Sequence, residues 1–503
     1  MKFQIFKEGK AVDKFILCGG YLFGTDGIVI RRAEIIVKGS LIECKKPNME
    51  VAGLALLWPV NGFGRILLST TCLPERAAPY NLNVEIARAR LMRIINKRED
   101  WSFFDGPPNS SKEAQNLFIE AVQNISEPAL ASQLADKALE KAMMISEKLA
   151  TTQAEPLFDA KAEKHGFGRG CLGCRINPSQ VDNPEYITRL LEVFGSVTIP
   201  VNWSQIEPHK GNYDFSGVDA CIEVLAKKKL AIGAGPLLCF SKEYLPRWLL
   251  RSKAKFEKIR EAAYQFICEI VARYSGSIHT WCIVSSLNAL NHFEFGFEQV
   301  LEMTRAASTA VKSVNDKALK IIEVSNPWGE YYATTPNTIP PLVYIDMVVQ
   351  SGINFDTFGV KMRFGKNTSG MHVRDMMQVS ALLDHFAHLG KPIYITNVEV
   401  PSQNGDDLYD GTVAGVWHHQ WDQKNQAKWI EQFYKIALSK PFVDTIMYSN
   451  LIDAENSIIA NSGLLTDKLE PKESFDRLKK MKNDIFNRQI TSAAEEKHIN
   501  QQT

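Results

Sequence analysis

Between about residue 166 and residue 484, short apolar runs centred near Leu172, Val197, Ile232, Ile283, Ile321, Phe358, Ile395 and Ile446 take turns with amphipathic windows. The windows lie around Leu190, Ile222, Phe266, Val300, Val348, Leu382, Ile430 and Leu478. A β-branched run bounded by turn residues reads as a strand buried on both faces, and apolar residues three and four apart read as a helix covered on one side. This alternation constrains the chain more than any other feature. Strands that are each followed by a helix build a parallel sheet, which either stays open or closes on itself. The open, doubly wound sheet is disfavoured because no glycine-rich phosphate turn follows the first run. The expected fold is therefore α/β, a (β/α)8 TIM barrel over residues 166–484. Its chemistry is expected at the carboxyl ends of the strands.

Upstream of the barrel the pattern changes twice. Residues 1–105 read as a small β-rich domain with a terminal helix. Ile28 to Val37 reads as a strand ending at the turn Lys38-Gly39, and Asn61-Gly62-Phe63-Gly64 as a hairpin connection. The helix is expected from about Asn83 to Trp101; its Arg88, Arg90, Arg93 and Arg98 offer either an anion-binding face or, as the favoured reading, a solvated face paired with Glu85, Glu99 and Asp100. Asp105-Gly106-Pro107-Pro108 then breaks the chain, and Ser110 with Glu113 has the form of a capping box. Leu117, Phe118, Val122 and Ile125 recur at helical spacing, as do Leu134, Ala138, Ala142 and Leu149 after Pro128. Residues 106–165 therefore read as a helical connector packed on both neighbours. Residues 485–503 are a polar C-terminal tail whose last stretch is expected to fray.

Lys and Arg together number 58 against 57 Asp and Glu, so no overall field draws the chain to nucleic acid or to an anionic membrane. The first residues hold no apolar signal segment and no uncharged run is long enough to span a bilayer, which points to the cytoplasm. Nine cysteines scattered through apolar segments fit reduced, buried thiols. Cys171 and Cys174 form a lone CxxC without a second pair at zinc spacing. His418 and His419 are adjacent rather than one helical turn apart. No metal or cofactor is expected.

Several segments, in order, carry a family resemblance. Asn202-Trp203-Ser204-Gln205-Ile206-Glu207-Pro208, with Gly211, Tyr213 and Phe215, matches W-x-x-I-E-P-x-x-G-x-(F/Y)-x-F. Pro246-Arg247-Trp248-Leu249 matches P-x-W-L, and Trp281-Cys282-Ile283-Val284 stands where W-D-V-V-N-E is found. Lys391-Pro392-Ile393-Tyr394-Ile395-Thr396-Asn397-Val398-Glu399-Val400 matches K-P-I-x-I-T-E-L-D-V, and Gly463-Leu464-Leu465 with Glu470-Pro471-Lys472 matches the closing segment. Over most of residues 166–484 the chain resembles the glycoside hydrolase family 10 endo-β-1,4-xylanases. The resemblance implies a barrel enzyme with two glutamates, an acid/base and a nucleophile, which a retaining glycosidase holds about 5–5.5 Å apart.

Both positions have changed. The acid/base position aligns with Ser286 and the nucleophile position with Asn397. A hydroxyl cannot protonate a leaving glycosidic oxygen near neutral pH, and an amide cannot form the glycosyl intermediate. The family's paired histidines become Gly235 and Phe240, its intervening tryptophan Cys239, its strand-six Gln and His become Lys361 and Arg363, and its last-strand tryptophan becomes Tyr448. Candidate ligand-binding groups near strand ends are Arg175, Asn202, Trp203, Asn288, Trp328, Lys361, Arg363, Trp417 and His418, because aromatic faces and amides suit sugar rings. Asp453 lies near the last strand end. Glu330 and Glu399 are the alternative carboxylates, Glu330 otherwise being a solvated loop residue and Glu399 a structural one. Trp417, Trp421 and Trp429 otherwise belong to the core or a lid. Lys361 and Arg363 alternate with Met362, so both face one side, where Glu399 is their expected partner.

Three functions remain open. The barrel is a non-catalytic carbohydrate-binding or structural unit whose ligand is an oligo- or polysaccharide. Otherwise it is a hydrolase with relocated carboxylates, or a scaffold whose amino-terminal β domain binds a protein partner.

Overall fold

The computed structural model describes residues 1–101, 109–164, 166–404, 413–455 and 457–485. The breaker Asp105 to Pro108 and the polar end Ser492 to Thr503 lie outside the described residues. Among the described residues, no helix is long and apolar enough to cross a membrane.

The amino-terminal strands that build the two four-stranded sheets include β1 (Lys2–Gln4), β2 (Tyr21–Phe23), β3 (Glu34–Lys38), β4 (Leu41–Lys45), β5 (Gly53–Val60), β6 (Gly64–Ser69) and β7 (Tyr80–Asn81), and the short segments Phe6–Lys7 and Lys10–Ala11 pair separately. One sheet has the order β3-β4-β1-β7. Its β3–β4 hairpin turns at Gly39, whose φ of 59° suits a residue without Cβ. The strand expected from Ile28 narrows to β3 because Arg32 adopts φ 60° and its N–H leaves for the Ala333 carbonyl. The β5–β6 hairpin turns where Asn61-Gly62-Phe63-Gly64 places it.

Three helices follow: α1 (Leu82–Asp100), α2 (Asn109–Gln123) and α3 (Pro128–Lys164). Asn81 caps α1 by accepting the Val84 N–H. The solvated reading of α1 is corrected by its burial: Leu82, Val84, Ile86, Arg90 and Ile94 are covered, and Arg90 reaches Asp375 with two bonds of 3.1 and 2.6 Å. Arg88 does pair with Glu85. Ser110 lies inside the first turn of α2, so it is not at the cap position. The long α3 packs against α1 and α2 on one side and against two barrel helices on the other.

The barrel strands are β8 (Leu172–Arg175), β9 (Ser196–Pro200), β10 (Ala231–Gly235), β11 (Thr280–Ser285), β12 (Leu319–Val324), β13 (Thr357–Arg363) and β14 (Ile393–Glu399). A two-residue strand β15 (Val416–Trp417) comes next, and β16 (Val443–Tyr448) completes the set. β8 to β14 and β16 form one closed parallel barrel. Helices α4 (Pro184–Val193), α5 (Ser216–Leu225), α6 (Phe256–Tyr274), α7 (Phe297–Val314), α8 (Pro341–Gln350), α9 (Met376–Ala387) and α10 (Gln423–Ser439) surround it, and a further helix begins at residue 473. Local signals start them: Asn183 and Pro184 open α4, Asp375 caps α9 and Asp422 caps α10. By pleat, Val197 and Ile199 turn to the helices, while Ser196, Thr198, Gly233, Gly235, Thr280 and Cys282 line the interior.

β15 does not belong to the barrel. It pairs with β6, giving the second amino-terminal sheet the order β15-β6-β5-β2. The Leu67 N–H bonds the Val373 carbonyl at 2.8 Å, Gln378 donates to the Leu67 carbonyl at 2.9 Å, and Arg31 donates to the Thr338 carbonyl at 3.0 Å. This sheet is thereby fastened to the connections that follow β12, β13 and β14, at the carboxyl end of the barrel.

Candidate active site at the barrel mouth

The functional geometry begins with a register slip. Val360 of β13 lies opposite Ile395, whereas Lys361 lies opposite Asn397 and Arg363 opposite Glu399. One extra residue in β14, Thr396, is a bulge, and it brings Asn397 and Glu399 to the face of the two cations. Arg363 Nε donates to Asn397 Oδ1 at 2.8 Å and stands 3.3 Å from Glu399 Oε2. Asn450 Nδ2 donates to the other Glu399 oxygen at 2.8 Å.

A second pair sits beside the first. Lys361 Nζ lies 2.7 Å from Glu323 Oε1 and donates to Ser285 Oγ at 2.8 Å. Ser285 in turn donates to Glu323 at 2.5 Å, and its oxygen is 3.2 Å from the Ser286 hydroxyl. Ser286 has φ 60°, a left-handed conformation uncommon outside glycine, with its N–H bonded to the Glu323 carbonyl at 2.8 Å. The two family positions are closed off: Ser286 is 0% exposed and Asn397 2%.

Electrostatics separate the two carboxylates. Burial by itself would raise the Glu323 carboxyl, but the Lys361 charge and the hydrogen bonds of Lys361 and Ser285 outweigh it and hold the group below its ordinary value. For Glu399 burial wins; Arg363 and Asn450 offset it only in part, and the carboxyl lies above its ordinary value. Glu323 is thus a fixed anion, while Glu399 holds a proton more readily than a free glutamate.

Glu330 belongs to a third cluster. It is 4% exposed, so the reading as a solvated loop carboxylate is corrected: the amino-terminal sheet covers it. Arg374 Nη2 lies 2.6 Å from Glu330 Oε1 and 3.1 Å from the Tyr21 hydroxyl, and its guanidinium lies 4.3 Å from the centre of the partly buried Trp328 ring.

The other candidates disperse. Trp203 is buried, donating to Glu207 at 2.7 Å and stacking on Phe266 at 5.0 Å. Asn202 accepts the Ser204 N–H at 3.0 Å and donates to the Glu243 carbonyl at 3.2 Å, which fixes the short turn Trp203–Ile206. Asn288 is buried against the Tyr331 hydroxyl and the Ile339 carbonyl. Trp417 is buried in β15, and His418 is held between the Gly62 carbonyl and Glu147. Asp453 pairs with Lys472 at 2.6 Å. Arg175 faces the barrel interior. Phe240, at a lost histidine position, packs edge-on against Phe293 and Phe295 at 5.4 and 5.6 Å.

Sequence reasoning missed Glu323, Arg374 and Asn450. Glu323 had a legible signal, a carboxylate inside the apolar run Ile321-Ile322-Glu323-Val324. Arg374 and Asn450 lie in connections, where no periodicity marks direction.

The chain is similar to known proteins of one family. The family model described as glycosyl hydrolase family 10 matches residues 161–481. A solved family 10 structure from Paenibacillus barcinonensis is 17% identical, with 64% of this chain and 96% of that chain covered and a TM-score of 0.50. Native xylanase 10B from Thermotoga maritima is 17% identical, with coverages of 66% and 98% and a TM-score of 0.49. Xylanase 10B from Thermotoga petrophila RKU-1, solved in complex with xylobiose, is 18% identical, with coverages of 65% and 96% and a TM-score of 0.48.

Proposed function

This chain belongs to glycosyl hydrolase family 10, and we propose that it is a member without the retaining two-carboxylate reaction, acting as a non-catalytic carbohydrate-binding or structural barrel. The observation that carries this reading is the state of the two reactive positions. Asn397 accepts a hydrogen bond from Arg363, and Ser286 adjoins the Ser285–Lys361–Glu323 cluster. Double displacement needs one carboxylate free to attack and another able to donate a proton. Glu323 is engaged by Lys361 and held low, so it can donate no proton near neutral pH.

One observation favours the relocated-carboxylate reading, namely the raised carboxyl of Glu399, suited in acidity to general acid work. It lacks a free partner, because Glu330 is bound by Arg374 in a separate cluster under the amino-terminal sheet. Seven of the nine unpaired cysteines are buried, which fits a reducing compartment and a cytoplasmic protein.

A saccharide array probed with the full chain, followed by incubation with the saccharides retained, tests the proposal. Retention of a β-linked saccharide without cleavage is the result expected of the binding arm, and no retention leaves the structural arm. Cleavage abolished by Glu399→Gln contradicts both and favours relocated carboxylates.

A further inference from the structure

The barrel interior is not filled. A cavity of about 380 Å³ runs inside the strands, within the ~300–1,000 Å³ range of small-molecule sites. In most such barrels layers of bulky side chains pack this space. Here the lining positions of β9, β10 and β11 include Ser196, Thr198, Ala231, Gly233, Gly235, Thr280 and Cys282. The cavity opens at the amino-terminal ends of the strands, where Gly168, Ala231 and Asp444 are exposed on its rim. This is the end opposite the buried Ser286 and Asn397.

Charge inside the barrel does not balance. Lys161, Arg175, Lys361 and Arg363 face three carboxylates, Glu323, Glu399 and, on the rim, Asp444, which leaves one cation in excess. Lys361 and Arg363 are the ones with ion-pair partners. Arg175 lines the cavity, its charge is felt by Glu399, and among the described residues its guanidinium has no hydrogen-bond or ion-pair partner. An arginine fork in a confined space matches a carboxylate with two parallel hydrogen bonds. The cavity wall also carries the hydroxyls of Ser196, Thr198, Thr280, Tyr394, Thr396 and Thr445. Each can donate or accept, as ligand hydroxyls require.

We propose that the barrel binds a small hydroxylated monocarboxylate, entering at its amino-terminal end, with Arg175 anchoring the carboxylate. One excess positive charge favours a monoanion over a phosphate dianion, which needs a second cation or a nest of amides. The proposal does not depend on the loss of hydrolysis at the mouth, since the ligand enters from the amino-terminal end; the cavity reaches up to Glu323, on the underside of the mouth cluster.

Saturation-transfer NMR on the full chain tests it with gluconate and sorbitol, which differ only in the terminal carboxylate. The expected result is saturable transfer to gluconate and little to sorbitol. Arg175→Gln should weaken gluconate roughly tenfold or more, with the thermal midpoint retained because the side chain leaves no partner behind. Ala231→Trp, at an exposed rim position, should obstruct entry and weaken gluconate comparably. No transfer to gluconate overturns the proposal. Transfer that survives both substitutions also overturns it, and assigns the binding to another surface.

Discussion

Removing Glu323 gives a quantitative test of how the mouth is held. Its side chain is 6% exposed and that of its partner Lys361 12%, so solvent screens the pair little. Glu323→Leu leaves the Lys361 ammonium buried beside Ser285 with no countercharge. Breaking one side of a buried pair costs about 3–5 kcal/mol, or a fall in thermal midpoint of roughly 3–5 °C for a chain of this size. Lys361→Met, which orphans the carboxylate, should cost a similar amount. The double variant removes both charges and should recover most of the loss, because an apolar pair of similar volume is often neutral or better. The assay is urea unfolding of the four proteins followed by tryptophan fluorescence, with calorimetry alongside, analysed as a double-mutant cycle. Single losses that simply add in the double variant, with coupling below about 0.5 kcal/mol, would refute the claim that these groups hold each other in place.

Further outcomes follow from other groups. Burial pushes His372 down to about 4, so the folded protein keeps it neutral where the unfolded chain takes a proton. Its contribution is therefore present above the ordinary value near 6.5 and is lost as pH falls towards 4, worth about 3 kcal/mol in all. His372→Gln should flatten the urea midpoint across that window. The Glu323 carboxyl works with the usual acid sign: its pairing stabilises above its ordinary value and is lost as pH falls through its lowered one, so the gap between wild type and Glu323→Gln should close in acid. Arg90→Met orphans Asp375 at the junction between α1 and α9 and should cost about 3–5 kcal/mol, with Arg90→Lys recovering only part because it cannot bond both oxygens. Restoring both family carboxylates with Ser286→Glu and Asn397→Glu should still give no xylan hydrolysis, since Arg363 would pair with the new group at 397 and Phe240 fills a former histidine position; products released by that variant would show that only the carboxylates were missing.

The barrel was legible because β-branched runs and amphipathic helices carry their periods locally, and each of the eight runs became a stave. The Arg363–Glu399 pairing was legible too, since pleat alternation puts Lys361 and Arg363 on one face. What escaped were contacts between residues distant in sequence. Arg90 meets Asp375 across the whole connector, so an arginine-rich helix looked solvated when one of its cations was buried. Trp417 and His418 follow β14 in sequence and were grouped with the mouth, but two residues of backbone pairing with β6 take them into the amino-terminal sheet. The bulge at Thr396 has no sequence signature either, and Glu323, although visible, was passed over because its run otherwise reads as plain core.

The most direct measurement is hydrolysis of an activated aryl β-xylobioside by the full chain, with mass spectrometry of the protein during turnover. A good leaving group removes most of the need for an acid, so any surviving nucleophile would be revealed. With Asn397 and Ser286 at the reactive positions, the account predicts no aryl release above buffer and no added mass on the protein. Aryl release together with a covalent glycosyl adduct would contradict it.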